Sequence, residues 1–116
     1  MTVEQCYGYI GGDYDEVMDR IQEPNLIKRC VVRFVEDPSY GELKKSLSEK
    51  NYSEAFRAAH TLKGVCQNLS FTSLFEAVNP LTEQLRDGTE PADMSLFDKV
   101  TEKYNITIRG IKEITE

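Results

Sequence analysis

The sequence predicts an all-α fold, an up-and-down four-helix bundle with short extra N-terminal helices. Apolar residues recur at helical spacing along most of its 116 residues. Turn-forming residues fall between these stretches, at Gly11-Gly12, Pro24, Pro38, Gly88 and Pro91. The one segment that alternates like a strand, Asn105-Ile106-Thr107-Ile108, has no second strand to pair with.

The chain is read as one domain, 1–116, with residues 1–23 as an N-terminal extension. In the extension, Val17, Met18 and Ile21 suggest a short helix after Gly12. Pro24 suits the first turn of the next helix, which carries Leu26, Ile27, Cys30, Val31, Phe34 and Val35. Asp37-Pro38-Ser39 breaks or kinks it. A helix resumes with Tyr40, Leu43 and Leu47 on one face. Asn51 is a good N-cap, with Glu54 three residues later. The helix it opens runs from about Tyr52 to Leu69, with a buried stripe of Tyr52, Ala55, Phe56, Ala59, Leu62, Cys66 and Leu69. After a short connection, Ser73 and Glu76 form a second plausible capping box, and the helix carries Leu74, Val78, Leu81 and Leu85. The short connection makes these two helices antiparallel neighbours. Pro80 is expected to weaken or bend the second one before it stops at Asp87-Gly88. The last helix follows Pro91 and carries Leu96, Phe97, Val100, Tyr104, Ile108 and Ile111.

Composition removes several function classes. Forty per cent of residues are hydrophobic and 29% charged, as in ordinary globular proteins. No apolar run approaches the ~20 residues that cross a bilayer. No basic cluster followed by an apolar stretch opens the chain, so a cytoplasmic location is expected. The net charge of −6 argues against nucleic acid as a partner. Three cysteines, with no CxxC pair, argue against a disulfide framework or a zinc site. No Gly-rich phosphate loop is present, so kinase activity of its own is not expected.

The chain contains a single histidine, His60. On a helical wheel Arg57, His60, Gly64 and Gln67 share one stripe, with Lys63 beside it. That stripe lies away from Ala59, Leu62 and Cys66. An exposed imidazole titrates near ~6.5, which leaves much of it a neutral nucleophile at neutral pH. An ammonium such as that of Lys63 can offset the charge of a phosphoryl group, and Gln67 can donate a hydrogen bond. Gly64 costs ~1 kcal/mol against alanine inside a helix, so its presence needs a reason. Each residue also has an ordinary explanation. A lone histidine is most often a surface residue, a mid-helix glycine a close helix contact, an exposed lysine a solvated charge. Cys66 is expected to be core.

The stretch Ala58-Ala59-His60-Thr61-Leu62-Lys63-Gly64, extended through Gln67-Asn68-Leu69, resembles the A-H-x-L-K-G signature of histidine-containing phosphotransfer (HPt) domains. The resemblance covers roughly residues 39–90. Ser70 stands where the family often has glycine, and it could serve as an N-cap for the next helix. The resemblance implies a phosphorelay carrier rather than an enzyme. His60 would accept a phosphoryl group from a receiver-domain aspartate, or from a histidine kinase, and pass it to a response-regulator receiver. Lys63 would stabilise phosphoryl charge, Gln67 would donate a hydrogen bond, and Gly64 and Arg57 would face the docked partner. No cofactor or metal is expected on the carrier; the Mg²⁺ would sit on the partner receiver. A hybrid histidine kinase is a further expected partner, and the chain is read as a monomer. Two alternatives stand beside this: a helical adaptor that binds a receiver without transferring phosphate, and a fragment of a histidine kinase. A bundle enzyme using His60 as a base would need a second titratable group nearby, which the sequence does not supply.

Overall fold

The computed structural model describes residues Met1–Glu116 and contains helices and turns only. In chain order the helices are α1 (Val3–Ile10), α2 (Tyr14–Ile21), α3 (Pro24–Arg33), α4 (Ser39–Ser48), α5 (Tyr52–Asn68), α6 (Thr72–Leu85) and α7 (Ser95–Lys112). A single 3-10 turn, Phe34–Glu36, follows α3.

The bundle consists of α4, α5, α6 and α7, each packed on the next in chain order. Aromatic stacking ties the start of α4 to α7. The Tyr40 ring stacks on Tyr104 at 4.0 Å and on Phe97 at 5.9 Å. Its hydroxyl shares a 2.8 Å hydrogen bond with that of Thr101. One cluster of 24 buried apolar residues draws on all seven helices.

Local chemistry explains the boundaries. The Thr2 hydroxyl accepts from the Gln5 N–H, and the Gln5 side chain accepts from the Thr2 N–H, so a complete capping box opens α1. Pro24 occupies the first turn of α3 as expected. Asp37-Pro38 separates the 3-10 turn from α4. The Asn51 side chain accepts from the Glu54 N–H at 3.3 Å and caps α5. The segment Asn105–Ile108 is helical, within α7. Gly110 lets α1 approach α7: a Cβ there would stand 2.6 Å from Ile10 Cγ2.

The expected Ser73–Glu76 capping box does not form. Helix α6 starts at Thr72, with Phe71 at the N-cap and no side-chain cap. A tertiary contact replaces it: the Ser73 N–H and hydroxyl both donate to the Gly11 carbonyl, each at 3.1 Å. Ser70 is not an N-cap either. It sits in the left-handed region at φ 56°, which explains why glycine is common there. Its hydroxyl donates to Glu16 Oε1 at 2.7 Å and accepts from Arg20 Nη1 at 3.1 Å. Pro80 does not interrupt α6. It lies on the exposed side of a continuous helix, beside an exposed Glu76 whose carbonyl it leaves without its usual helical donor.

The N-terminal helices therefore clasp the bend between α5 and α6. Arg20 Nη1 donates to the Asn68 carbonyl at 2.6 Å, and the Asp13 N–H donates to the Ser70 carbonyl at 2.9 Å. The buried Tyr7 hydroxyl donates to the Leu69 carbonyl at 2.7 Å. Burial pushes the Tyr7 phenol well above its ordinary range, so it stays a donor. Removing this donor strands a buried carbonyl. Tyr7→Phe is expected to lower stability by about 1–2 kcal/mol, read from the midpoint of urea unfolding. An unchanged midpoint would show that this hydrogen bond contributes nothing.

Candidate functional site

Helix α5 divides into two faces. Ala55, Ala58, Ala59, Leu62 and Cys66 are buried. Ala58 belongs to the core although the sequence pattern omits it, and Tyr52 and Phe56 are only half-buried. The outer face carries His60, which is exposed, with Lys63 and Gly64 half-buried beside it.

Side chains on a helix lean toward its N-terminus, so His60 lies over the residue four positions earlier. That residue is Phe56. The two rings stack with centroids 5.8 Å apart and 25° between their planes. The guanidinium of Arg86, the residue that caps the end of α6, covers the same phenyl ring, 5.4 Å from its centroid. Arg86 also grips Glu83 with two hydrogen bonds, Nε to Oε2 at 3.1 Å and Nη2 to Oε1 at 2.8 Å. Glu83 Oε1 lies 3.8 Å from Lys63 Nζ. The hydrogen bonds from Arg86, and the charges of Arg86 and Lys63, hold the Glu83 carboxyl below the usual carboxylate range.

Gly64 has nothing within 4 Å of where its Cβ would be. The ordinary explanation for a mid-helix glycine, a close contact with another helix, does not apply. The space beside it opens outward, one turn after His60.

The other candidate residues are more dispersed. Gln67 is exposed two turns beyond His60, roughly 10 Å along the axis. It lines a shallow cavity with Cys66, Ser70, Phe75 and Glu16. Arg57 is exposed, pairs with Glu54 on its own helix at 3.0 Å, and borders the polar groove between α4 and α5. Thus Lys63 and Gly64 lie within a turn after His60 and Arg57 within a turn before it, while Gln67 sits toward the far end of the face.

Phe56, Glu83 and Arg86 are parts of this neighbourhood that sequence reasoning missed. The four-residue spacing of Phe56 and His60 was a usable signal. For Glu83 and Arg86 there was none, because their place depends on how α6 registers against α5.

All three cysteines are free. Burial pushes the Cys66 thiol far above its ordinary range and the Cys6 thiol up to about 11. Both are packing residues and poor nucleophiles. No three His, Cys, Asp or Glu side chains converge on a position that could hold a metal ion. No helix is long and apolar enough to cross a membrane.

A helical bundle that sets one exposed histidine in the middle of a helix, beside an open glycine and charged neighbours, defines a class of small histidine-bearing helical bundles. A family model described as Hpt domain matches residues 39–112, from the start of α4 to the end of α7. The chain belongs to the Hpt domain family. No curated protein and no solved structure matches it. Membership places the chain among the phosphotransfer domains of two-component signalling, which are phosphocarriers and work with receiver domains and histidine kinases.

Proposed function

We propose that this protein is a phosphorelay carrier in which His60 accepts a phosphoryl group from a receiver-domain aspartate, or from a histidine kinase, and passes it to a response-regulator aspartate. The observation that carries the reading is the open space at Gly64, one turn from the exposed His60. A helix interior tolerates glycine at a cost of about 1 kcal/mol. Nothing inside the molecule uses the missing side chain, which leaves room for a partner beside His60.

The chemistry asks little of the carrier. The lone pair of a neutral imidazole nitrogen attacks phosphorus. The N–P bond forms as the P–O bond of the aspartyl phosphate breaks, and the electron pair returns to the carboxylate. The imidazolium releases its other ring proton. Transfer onward reverses these steps. Phosphoryl transfer depends mainly on positioning and charge stabilisation. Lys63 supplies a cation for the phosphoryl oxygens. Gln67, on the turn after Gly64, supplies a hydrogen-bond donor for the phosphoryl group. Gly64 and Arg57 face the docked partner. The partner receiver contributes the Mg²⁺. The carrier acts as a monomer in the cytoplasm.

The test is incubation with a phosphorylated receiver domain and Mg²⁺, followed by intact-mass and acid-lability analysis. An acid-labile, alkali-stable label is expected on the wild-type protein. Absence of label from several receivers, with the helical fold intact, would favour the non-transferring adaptor.

A further inference from the structure

The carboxylate of Glu83 stands between two cations of the His60 neighbourhood, Lys63 and Arg86. It takes both donors of the Arg86 fork at the end of α6 and lies 3.8 Å from the Lys63 ammonium on α5. Arg86 in turn covers Phe56, the ring against which His60 stacks. A surface ion pair on one helix needs no explanation, and Arg57–Glu54 is such a pair. Glu83 differs because it bridges two helices. It also draws in Lys63, whose side chain is only 21% exposed.

We propose that Glu83 is the internal counter-ion of the phosphoryl site: it neutralises Lys63 and Arg86 in the unloaded carrier and yields them when His60 is phosphorylated. This rests on the carrier reading above. A phosphoryl group on His60 brings nearly two negative charges into a neighbourhood that holds Lys63, Arg86 and Glu83, with the Arg57–Glu54 pair on the turn before His60. Lys63 and Arg86 then have a stronger anion to serve than Glu83. The charged groups around His60 are Arg57, with its partner Glu54, and Lys63 from α5, Glu83 from α6, and Arg86 and Asp87 just after α6. Glu83 is the one anion that faces the site from α6. Its like-charge repulsion raises the free energy of the phosphorylated state and makes the group easier to release. Glu83 is thus a positioning residue that sets how tightly the carrier keeps its cargo, and Arg86 is a second cation of the phosphoryl site.

The experiment measures how the phosphoryl group partitions at equilibrium between the carrier and one receiver domain. Wild type, Glu83→Gln, Glu83→Asp and Arg86→Ala are compared under the same conditions. Glu83→Gln keeps size and one acceptor for Arg86 but removes the charge. It is expected to shift the partition about two- to five-fold toward phosphohistidine, the range of a partly exposed charge interaction. Arg86→Ala is expected to shift it the opposite way. Glu83→Asp, which restores the charge, is expected to return the partition toward wild type. Circular dichroism and thermal melting report whether each variant keeps the fold, which a merely structural role would affect first. Label on wild type with an unchanged partition in Glu83→Gln overturns this inference and leaves the carrier reading intact. A wild-type carrier that takes no label from receivers overturns both.

Discussion

His60→Gln is expected to abolish the acid-labile label completely while leaving the fold unchanged. His60 is the single histidine of the chain, so no other imidazole can take its place. Glutamine has no nucleophilic nitrogen, because its amide lone pair is delocalised into the carbonyl. The substitution is otherwise mild. His60 is exposed, glutamine is a good helix former, and surface changes of this kind stay within about ±0.5 kcal/mol. The variant gives up the ring stack on Phe56. Intact mass after incubation with a phosphorylated receiver reads the label, and thermal melting reads the fold. An acid-labile label that survives in the variant would place the phosphoryl group elsewhere and end the carrier proposal. Retention of full biological function without label would support the adaptor.

Gly64→Gln separates stability from function in opposite directions. The Cβ position has nothing within 4 Å, so the new side chain enters open space without a clash. Helix propensity then raises stability by about 0.5–1 kcal/mol. The same side chain stands where a receiver must approach to bring its aspartyl phosphate in line with His60. A misplacement of about 1 Å can lower the rate of a group transfer roughly 10²-fold. The expected result is a more stable protein that transfers at least about 10²-fold more slowly, measured by the time course of label from a phosphorylated receiver. Transfer at the wild-type rate would mean that partners dock elsewhere. A drop in stability would mean that the space is used inside the molecule after all.

The sequence by itself determined the all-helical class, most helix boundaries and the place of His60, Lys63 and Gly64 on one outer face. These are local properties. Helical spacing decides which side chains share a face, Asn51 marks a helix start by accepting from the Glu54 N–H, and Pro24 marks one through its fixed φ and missing N–H. Only the tertiary structure decided what replaces the capping box at Ser73 and what holds the Ser70 hydroxyl. Both depend on α1 and α2 closing over the bend, through groups about 50 to 60 residues away in the chain. The tertiary structure also decided that the cations beside His60 share a carboxylate. Glu83 and Arg86 look like an ordinary helix-surface pair until α6 is laid antiparallel against α5. Contacts between helices depend on register and rotation, which periodicity within one helix does not encode, and the counter-ion of this site lies on that second helix.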